Sequence, residues 1–123
     1  MANIRQRGTA PELAVREVAS SLGIRYRLHN RDLPGSPDLA NRTQKWAVFV
    51  HGCFWHRHHG CSKTTSPTRN ADFWEEKFQA NIRRDRRVTA ALRKSGHRVI
   101  VIWECKTTSV ERVRKSLSPL VVE

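Results

Sequence analysis

Acidic residues are scarce in this chain: 11 Asp and Glu stand against 23 Lys and Arg, leaving a formal charge of +12 over 123 residues. That excess calls for a polyanionic partner, nucleic acid first. Long apolar runs are missing too. None approaches the roughly 20 residues of a membrane-spanning helix, and the segment Met1 to Arg7 is too polar for a signal peptide. No membrane partner and a cytoplasmic, nucleoid-associated location are therefore expected. Cysteine is sparse: Cys53, Cys61 and Cys105 cannot all pair with one another, which argues against a secreted disulfide scaffold and for metal ligation or free thiols. The chain carries no internal repeat and no low-complexity tract, and its length fits one domain, residues 1–123.

What is present reads as alternating helices and strands. Thr9-Ala10-Pro11-Glu12 is a capping box, and Val15, Val18, Ala19 and Leu22 follow at helical spacing until Gly23. Ile24, Tyr26 and Leu28 alternate with Arg25 and Arg27, which predicts a half-buried strand, and a turn-rich segment follows from Asn30 to Pro37. Trp46 to Val50 is apolar throughout and predicts a central strand. Asp72 with Glu75 can cap a helix that carries Trp74, Phe78, Ile82, Val88 and Leu92 on one face as far as Gly96. The run Arg83-Arg84-Asp85-Arg86-Arg87 interrupts that face, so the helix is either bent or solvated at its middle. Arg98 to Trp103 predicts a buried strand, and Thr108-x-x-Glu111 caps a last helix carrying Val110, Val113 and Leu117. The expected fold is a small mixed α/β sheet covered by helices.

Residues His51 to Thr68 have no periodicity and form a long loop that a bound metal would order. Four of the six histidines (His51, His56, His58, His59) fall within nine residues there, beside Cys53 and Cys61. Cys53-x4-His58-x2-Cys61 offers three ligands, and Cys105, just after a strand, can supply the fourth. Three Cys and one His make a closed tetrahedral set, which is structural Zn²⁺. His59 is the alternative to His58, and buried thiols beside solvated histidines are the alternative to a metal. His51 and His56 are then left as acid or base candidates at a strand's end, or as exposed loop histidines.

Pro34-Gly35-Ser36-Pro37-Asp38 places a carboxylate twelve residues before Val50. A Pro-Asp, a short hairpin and a strand is the layout of restriction-endonuclease-like nucleases, although the second carboxylate and the lysine of that strand are missing. Leu33-Pro34-Gly35-x-Pro37-Asp38, Val50-His51-Gly52-Cys53-Phe54-Trp55-His56-x-His58, Phe73-Trp74 with Glu76, Lys77, Asn81, Asp85 and Arg86, and Val101-Ile102-Trp103-Glu104-Cys105 resemble the very-short-patch repair endonuclease family. The likeness runs from about Thr9 to Cys105 and onward.

The resemblance implies a restriction-endonuclease-like mixed sheet flanked by helices with a structural zinc site, and Mg²⁺-dependent nicking of double-stranded DNA beside a T:G mismatch. Asp38 is similar to the Mg²⁺-bridging carboxylate, with the Val50 carbonyl as a second ligand. The family's Thr before the strand histidine is Val50 here, which is harmless if only the carbonyl serves. His51 is similar to the histidine that orients water or phosphate at the metal, His56 to the one that activates the attacking water, and Glu12 to an acid holding the metal's water. Glu12 also has the plain capping role. Phe54, Trp55 and Trp74 resemble an aromatic wedge beside the mismatch; Trp74 otherwise reads as core. Arg83, Arg84, Arg86 and Arg87, with Arg5, Arg7, Arg25 and Arg27, would bind phosphates, or else form a solvated face. The family's arm ahead of the first helix enters the minor groove. Here eight residues precede Thr9, with Met1 near the inserting position, so a weaker or different clamp is expected. A monomer is expected, with mismatch-repair proteins as candidate partners. The rival readings are a zinc-containing DNA-binding module without catalysis, an endonuclease of other specificity, and a zinc hydrolase with His51 or His56 at an open metal site.

Overall fold

The computed structural model describes residues 9–54, 56–62 and 64–121. The expectations for Met1, Arg5, Arg7 and Trp55 lie outside the described residues. Thr9 caps the first helix, α1 (Ala10–Ser21): its hydroxyl accepts from the Glu12 N–H at 3.4 Å, with Pro11 in the first turn. Val15, Val18 and Ala19 form its buried face.

Ile24 to Leu28 does not form the expected strand. Arg27 makes one isolated bridge, exchanging both backbone bonds with Ala40 (2.8 and 3.2 Å), and two residues later His29 turns the chain through a left-handed conformation, φ 58°. Ile24, Tyr26 and Leu28 still reach the core, so the alternation reported burial and not pairing. The first strand is instead β1 (Leu39–Asn41), antiparallel to β2 (Trp46–His51), with Leu39 opposite Val48. β2 pairs in parallel with β3 (Arg98–Trp103), Val48 opposite Ile100, so the apolar strand is central as its composition requires. β3, expected to be buried, is an edge strand among the described residues, and only its Ile102 is fully covered.

The parallel connection runs through α2 (Ala71–Lys94), one helix of 24 residues despite its arginine run. Its N-cap is Asn70, in a left-handed conformation, and not Asp72, which lies in the first turn where its charge suits the helix dipole. The last helix, α3 (Val110–Leu117), is capped by Ser109, whose hydroxyl accepts from Arg112 N–H at 3.3 Å, and not by Thr108. Val113 and Leu117 are buried, but Val110, the first residue of the helix, is 55% exposed.

Alternation along β2 sorts the layers. Trp46 and Val48, with Leu39 and Ile102, pack against Val15 and Val18 of α1 and Val113 and Leu117 of α3. Ala47 and Phe49, with Val99 and Val101, pack against Leu92 and Val88 of α2. The result is a mixed α/β arrangement with helices on both faces of the sheet. His51 shares the parity of Ala47 and Phe49, so β2 ends by presenting an imidazole on the side of α2. Among the described residues no helix is long and apolar enough to cross a membrane.

Candidate active site and metal centre

Asp38 is delivered to β2 by a clamped loop. Asn30 is buried and its Nδ2 donates to the carbonyls of Arg27 (2.7 Å) and Pro37 (3.1 Å). Gly35, at φ +73°, lies so close to α2 that an added Cβ would meet Val88 Cγ1 at 2.5 Å. Asp38 then donates its N–H to the Val48 carbonyl (3.0 Å), and its Oδ2 accepts from the Val50 N–H at 2.6 Å. In an extended chain the N–H and C=O of one residue point the same way. The Val50 carbonyl therefore lies on the same edge of β2 as Asp38, away from β3. Burial pushes the Asp38 carboxyl up to about 6, against the Val50 N–H that favours its charge; the nearby Glu12 carboxylate adds to the rise and Arg16 opposes it. Glu12 is buried on α1 and forms an ion pair with Arg16.

A second constellation stands at the end of β2. The rings of His51 and His56 stack with centroids 3.8 Å apart and planes 5° from parallel. His56 Nδ1 meets Asp85 Oδ2 of α2 at 2.6 Å. Burial holds the His51 imidazole down to about 4, the His56 ring beside it adding to this, so His51 is neutral at pH 7. His51, His56 and Asp85 lie close enough to hold a metal. The ring geometry speaks against it: imidazole lone pairs lie in the ring plane, and two nearly parallel planes 3.8 Å apart cannot converge on one ion. The geometry suits acid–base work instead: the Asp85 carboxylate fixes the His56 ring through Nδ1.

The loop after β2 gathers Cys53, His58, Cys61 and Cys105, whose ligand atoms all lie within 4.8 Å of one another. His58 Nδ1 is 3.6 Å from Cys53 Sγ and 3.5 Å from Cys105 Sγ. A tetrahedral Zn²⁺ with bonds of about 2.3 Å to sulfur and 2.05 Å to nitrogen has S···N edges of about 3.6 Å, so the set fits that ion. Burial pushes the Cys53 thiol up to about 11, and the Cys105 and Cys61 thiols contribute to the rise; a cation reverses that preference. His59 is exposed and outside the cluster. The loop is shaped by Thr64, whose hydroxyl contacts the carbonyls of His58 (2.7 Å) and Cys53 (3.3 Å), and by the Cys53 N–H, which donates to Glu104 Oε1 (3.2 Å). Trp103 joins the two centres: His58 stacks on its face (4.3 Å) and His51 meets its edge (5.3 Å).

Phe54 packs edge-on against Phe78 (5.2 Å) and Trp74 (6.4 Å), and Arg57 lies over Phe78 at 4.0 Å. Phe54 and Trp74 are thus half-buried in one aromatic cluster, whereas Phe73 is 52% exposed beside Trp74. Arg83, Arg84, Arg86 and Arg87 are all exposed on α2. At about 100° per residue, Arg84 and Arg86 flank Asp85 while Arg83 and Arg87 project from the opposite side. The pairing of Asp85 with His56 is not among the contacts expected from the sequence. Phe78, Asp85 and Leu92 recur every seven residues, so a carboxylate lies on the buried line of the helix, and that was the legible signal. Arg16, an ordinary helix residue by pattern, left no such signal.

A carboxylate pair, a histidine fixed by an aspartate and flanking arginines are the equipment of a hydrolase that works on a polyanion. A family model described as "DNA mismatch endonuclease Vsr" matches residues 1–63. The type II nicking enzyme V.XorIIP of Xanthomonas oryzae is 43% identical, over 97% of this chain and 90% of its own length. V.NmeAIP of Neisseria meningitidis, also a type II nicking enzyme, is 40% identical over 100% of this chain and 87% of its own. The DNA mismatch endonuclease Vsr of Escherichia coli is 36% identical over 92% and 72%. The chain belongs to the DNA mismatch endonuclease Vsr family and is a DNA endonuclease.

Proposed function

We propose that this chain is a Mg²⁺-dependent nicking endonuclease that cuts one strand of double-stranded DNA beside a T:G mismatch. It acts as a single-domain monomer in the cytoplasm, on a restriction-endonuclease-like sheet stapled by Zn²⁺. The observation that carries the reading is the convergence at the end of β2 of Asp38 and the Val50 carbonyl on one edge with the His51, His56 and Asp85 group on the neighbouring face. The relatives' names, mismatch endonuclease and nicking enzyme, support the substrate and the single-strand outcome.

Asp38 and the Val50 carbonyl would hold Mg²⁺, with Glu12 beside them; both donors are the hard oxygens this ion prefers. The ion supplies Lewis acidity toward the scissile phosphate. His56 accepts the proton of the attacking water at Nε2, and Asp85 stabilises the charge that arrives on the ring. His51, neutral and packed flat against His56, keeps that ring in place and offers a hydrogen-bonding nitrogen to water or phosphate. Cys53, His58, Cys61 and Cys105 would hold Zn²⁺, which would order the loop that carries His56. Phe54, Trp55, Trp74 and the exposed Phe73 supply the wedge against the bases, and Arg84 and Arg86 bind the flanking phosphates.

Asp38→Asn tests the assignment. It should abolish nicking while zinc stoichiometry and DNA affinity stay at the wild-type level. Wild-type nicking by this variant, or loss of zinc with unfolding, would remove Asp38 from catalysis.

A further inference from the structure

We propose that Arg57 is a positioning residue for mismatch recognition: its guanidinium holds Phe54 against the aromatic side chains of α2, so that the wedge meets the bases already ordered. The proposal rests on the reading of Phe54 and Trp74 as part of that wedge.

Three observations carry it. The Arg57 guanidinium lies 4.0 Å from the centroid of the Phe78 ring and 5.6 Å from that of Phe54, within reach of cation–π attraction to both. The same group is engaged by the chain's own loop: Nη1 donates to the carbonyls of Phe54 (3.3 Å) and Thr65 (2.8 Å), and Nη2 to the Ser66 hydroxyl (3.1 Å). It thereby ties two distant parts of the loop to Phe78, which is buried on α2. Only a planar fork can stack and donate in this way at once; a lysine ammonium cannot. Thirdly, Arg57 keeps φ at 55°, a left-handed conformation that is uncommon for a residue with a long side chain and persists where surrounding contacts hold it.

In a chain of formal charge +12, the plain reading of an arginine is a phosphate contact. Arg57 differs from the exposed Arg84 and Arg86 in that its donors are turned onto carbonyls and a hydroxyl of its own loop. Order, and not charge, is then what it supplies. Once Phe54 is loosened, DNA must fix that ring again, a cost borne only by the complex in which the wedge enters the duplex. Loss of Arg57 must therefore weaken binding of a T:G duplex more than binding of a paired one, and leave the salt dependence as it was.

The experiment measures, by anisotropy and without Mg²⁺, the affinity of the zinc-loaded full chain for a T:G duplex and for the same duplex fully paired, at several salt concentrations. Wild type, Arg57→Lys, Arg57→Met and Phe54→Ala are compared, with near-UV circular dichroism of each free protein as the report on aromatic order. Arg57→Lys and Arg57→Met should both lower the ratio of T:G to paired affinity by at least about threefold, the cost of immobilising a freed side chain, and both should lose near-UV signal. Their log–log salt slopes should equal that of wild type. If Arg57→Met does not fold by far-UV circular dichroism, Arg57→Lys carries the test. A wild-type ratio in Arg57→Lys, with the ratio lost in Phe54→Ala, overturns the role of Arg57 while leaving the wedge standing. Equal weakening of both duplexes by Arg57→Met, with a slope about 0.9 smaller, makes Arg57 a phosphate contact and also overturns the proposal. A wild-type ratio in Phe54→Ala overturns the wedge reading and the role of Arg57 with it.

Discussion

Replacing Asp85 by Asn should cost the enzyme most of its acid–base catalysis while leaving its fold in place. In the wild type the carboxylate accepts the Nδ1 proton of His56 across 2.6 Å, which leaves the Nε2 lone pair available to take a proton. An amide at position 85 can instead donate to Nδ1. That moves the ring proton to Nε2 and blocks the atom that acts. A positioned general base contributes about 10²- to 10⁴-fold in rate. The expected loss is therefore at least about 10²-fold, near 3 kcal/mol of barrier, well above the change expected from one half-exposed hydrogen bond. Zinc content should not change, and the melting temperature should move by no more than about 4 °C, since the substitution is nearly isosteric. Single-turnover nicking of a mismatched duplex with enzyme in excess reads the chemical step directly. Because Asp85 acts through His56, the double variant Asp85→Asn/His56→Ala should be no slower than His56→Ala alone. Nicking by Asp85→Asn within about twofold of wild type would refute the reasoning, since a general base is worth far more. So would a double variant whose losses multiply.

Asp38 and His51 oppose each other in the pH dependence of stability. Asp38 rises from 3.8 to about 6, so the Mg²⁺-free protein loses stability as pH increases through that window; His51 falls from 6.5 to about 4, so stability is lost as pH decreases through nearly the same range. Each effect is on the order of 3 kcal/mol. Denaturant melts across pH should show Asp38→Asn to be more acid-labile than wild type and His51→Gln less so, and equal profiles would contradict the assignment. Cys105→Ser should lose zinc and folding together, because a zinc set contributes roughly 10 kcal/mol or more to a domain whose total stability is of similar size; elemental analysis beside circular dichroism checks it. Arg84→Ala and Arg86→Ala should each reduce the salt dependence of DNA binding, by about 0.9 in the log–log slope, whereas Arg83→Ala and Arg87→Ala should change it little, as anisotropy titrations at several salt concentrations will show.

The parts of this protein that were legible in the sequence are those whose signal is local. β2 and β3 announce themselves by unbroken apolar runs, and three members of the Cys/His cluster by the density of His and Cys in one loop. The segment Ile24 to Leu28 misled because alternation reports which side is buried and says nothing of a partner; the chain leaves Ala40 after one bridge. β1, three residues long, is too short to show any period. Asp85 was hidden inside a charge run that looked solvated, although it lies on the Phe78–Leu92 line of α2. Trp103 reads as the last residue of a strand, and only the folded chain shows one indole placed between His58 and His51. The arginines were visible as a cluster, but the helix divides them between two faces, which composition does not reveal.

The most direct measurement is nicking of two otherwise identical labelled duplexes, one with a T:G mismatch and one fully paired, in chelator-free buffer with and without added Mg²⁺. The account predicts a single cut in one strand of the T:G duplex, dependent on Mg²⁺, with the paired duplex left intact under the same conditions. Equal cutting of both duplexes, or cutting at full rate without added Mg²⁺, would contradict it.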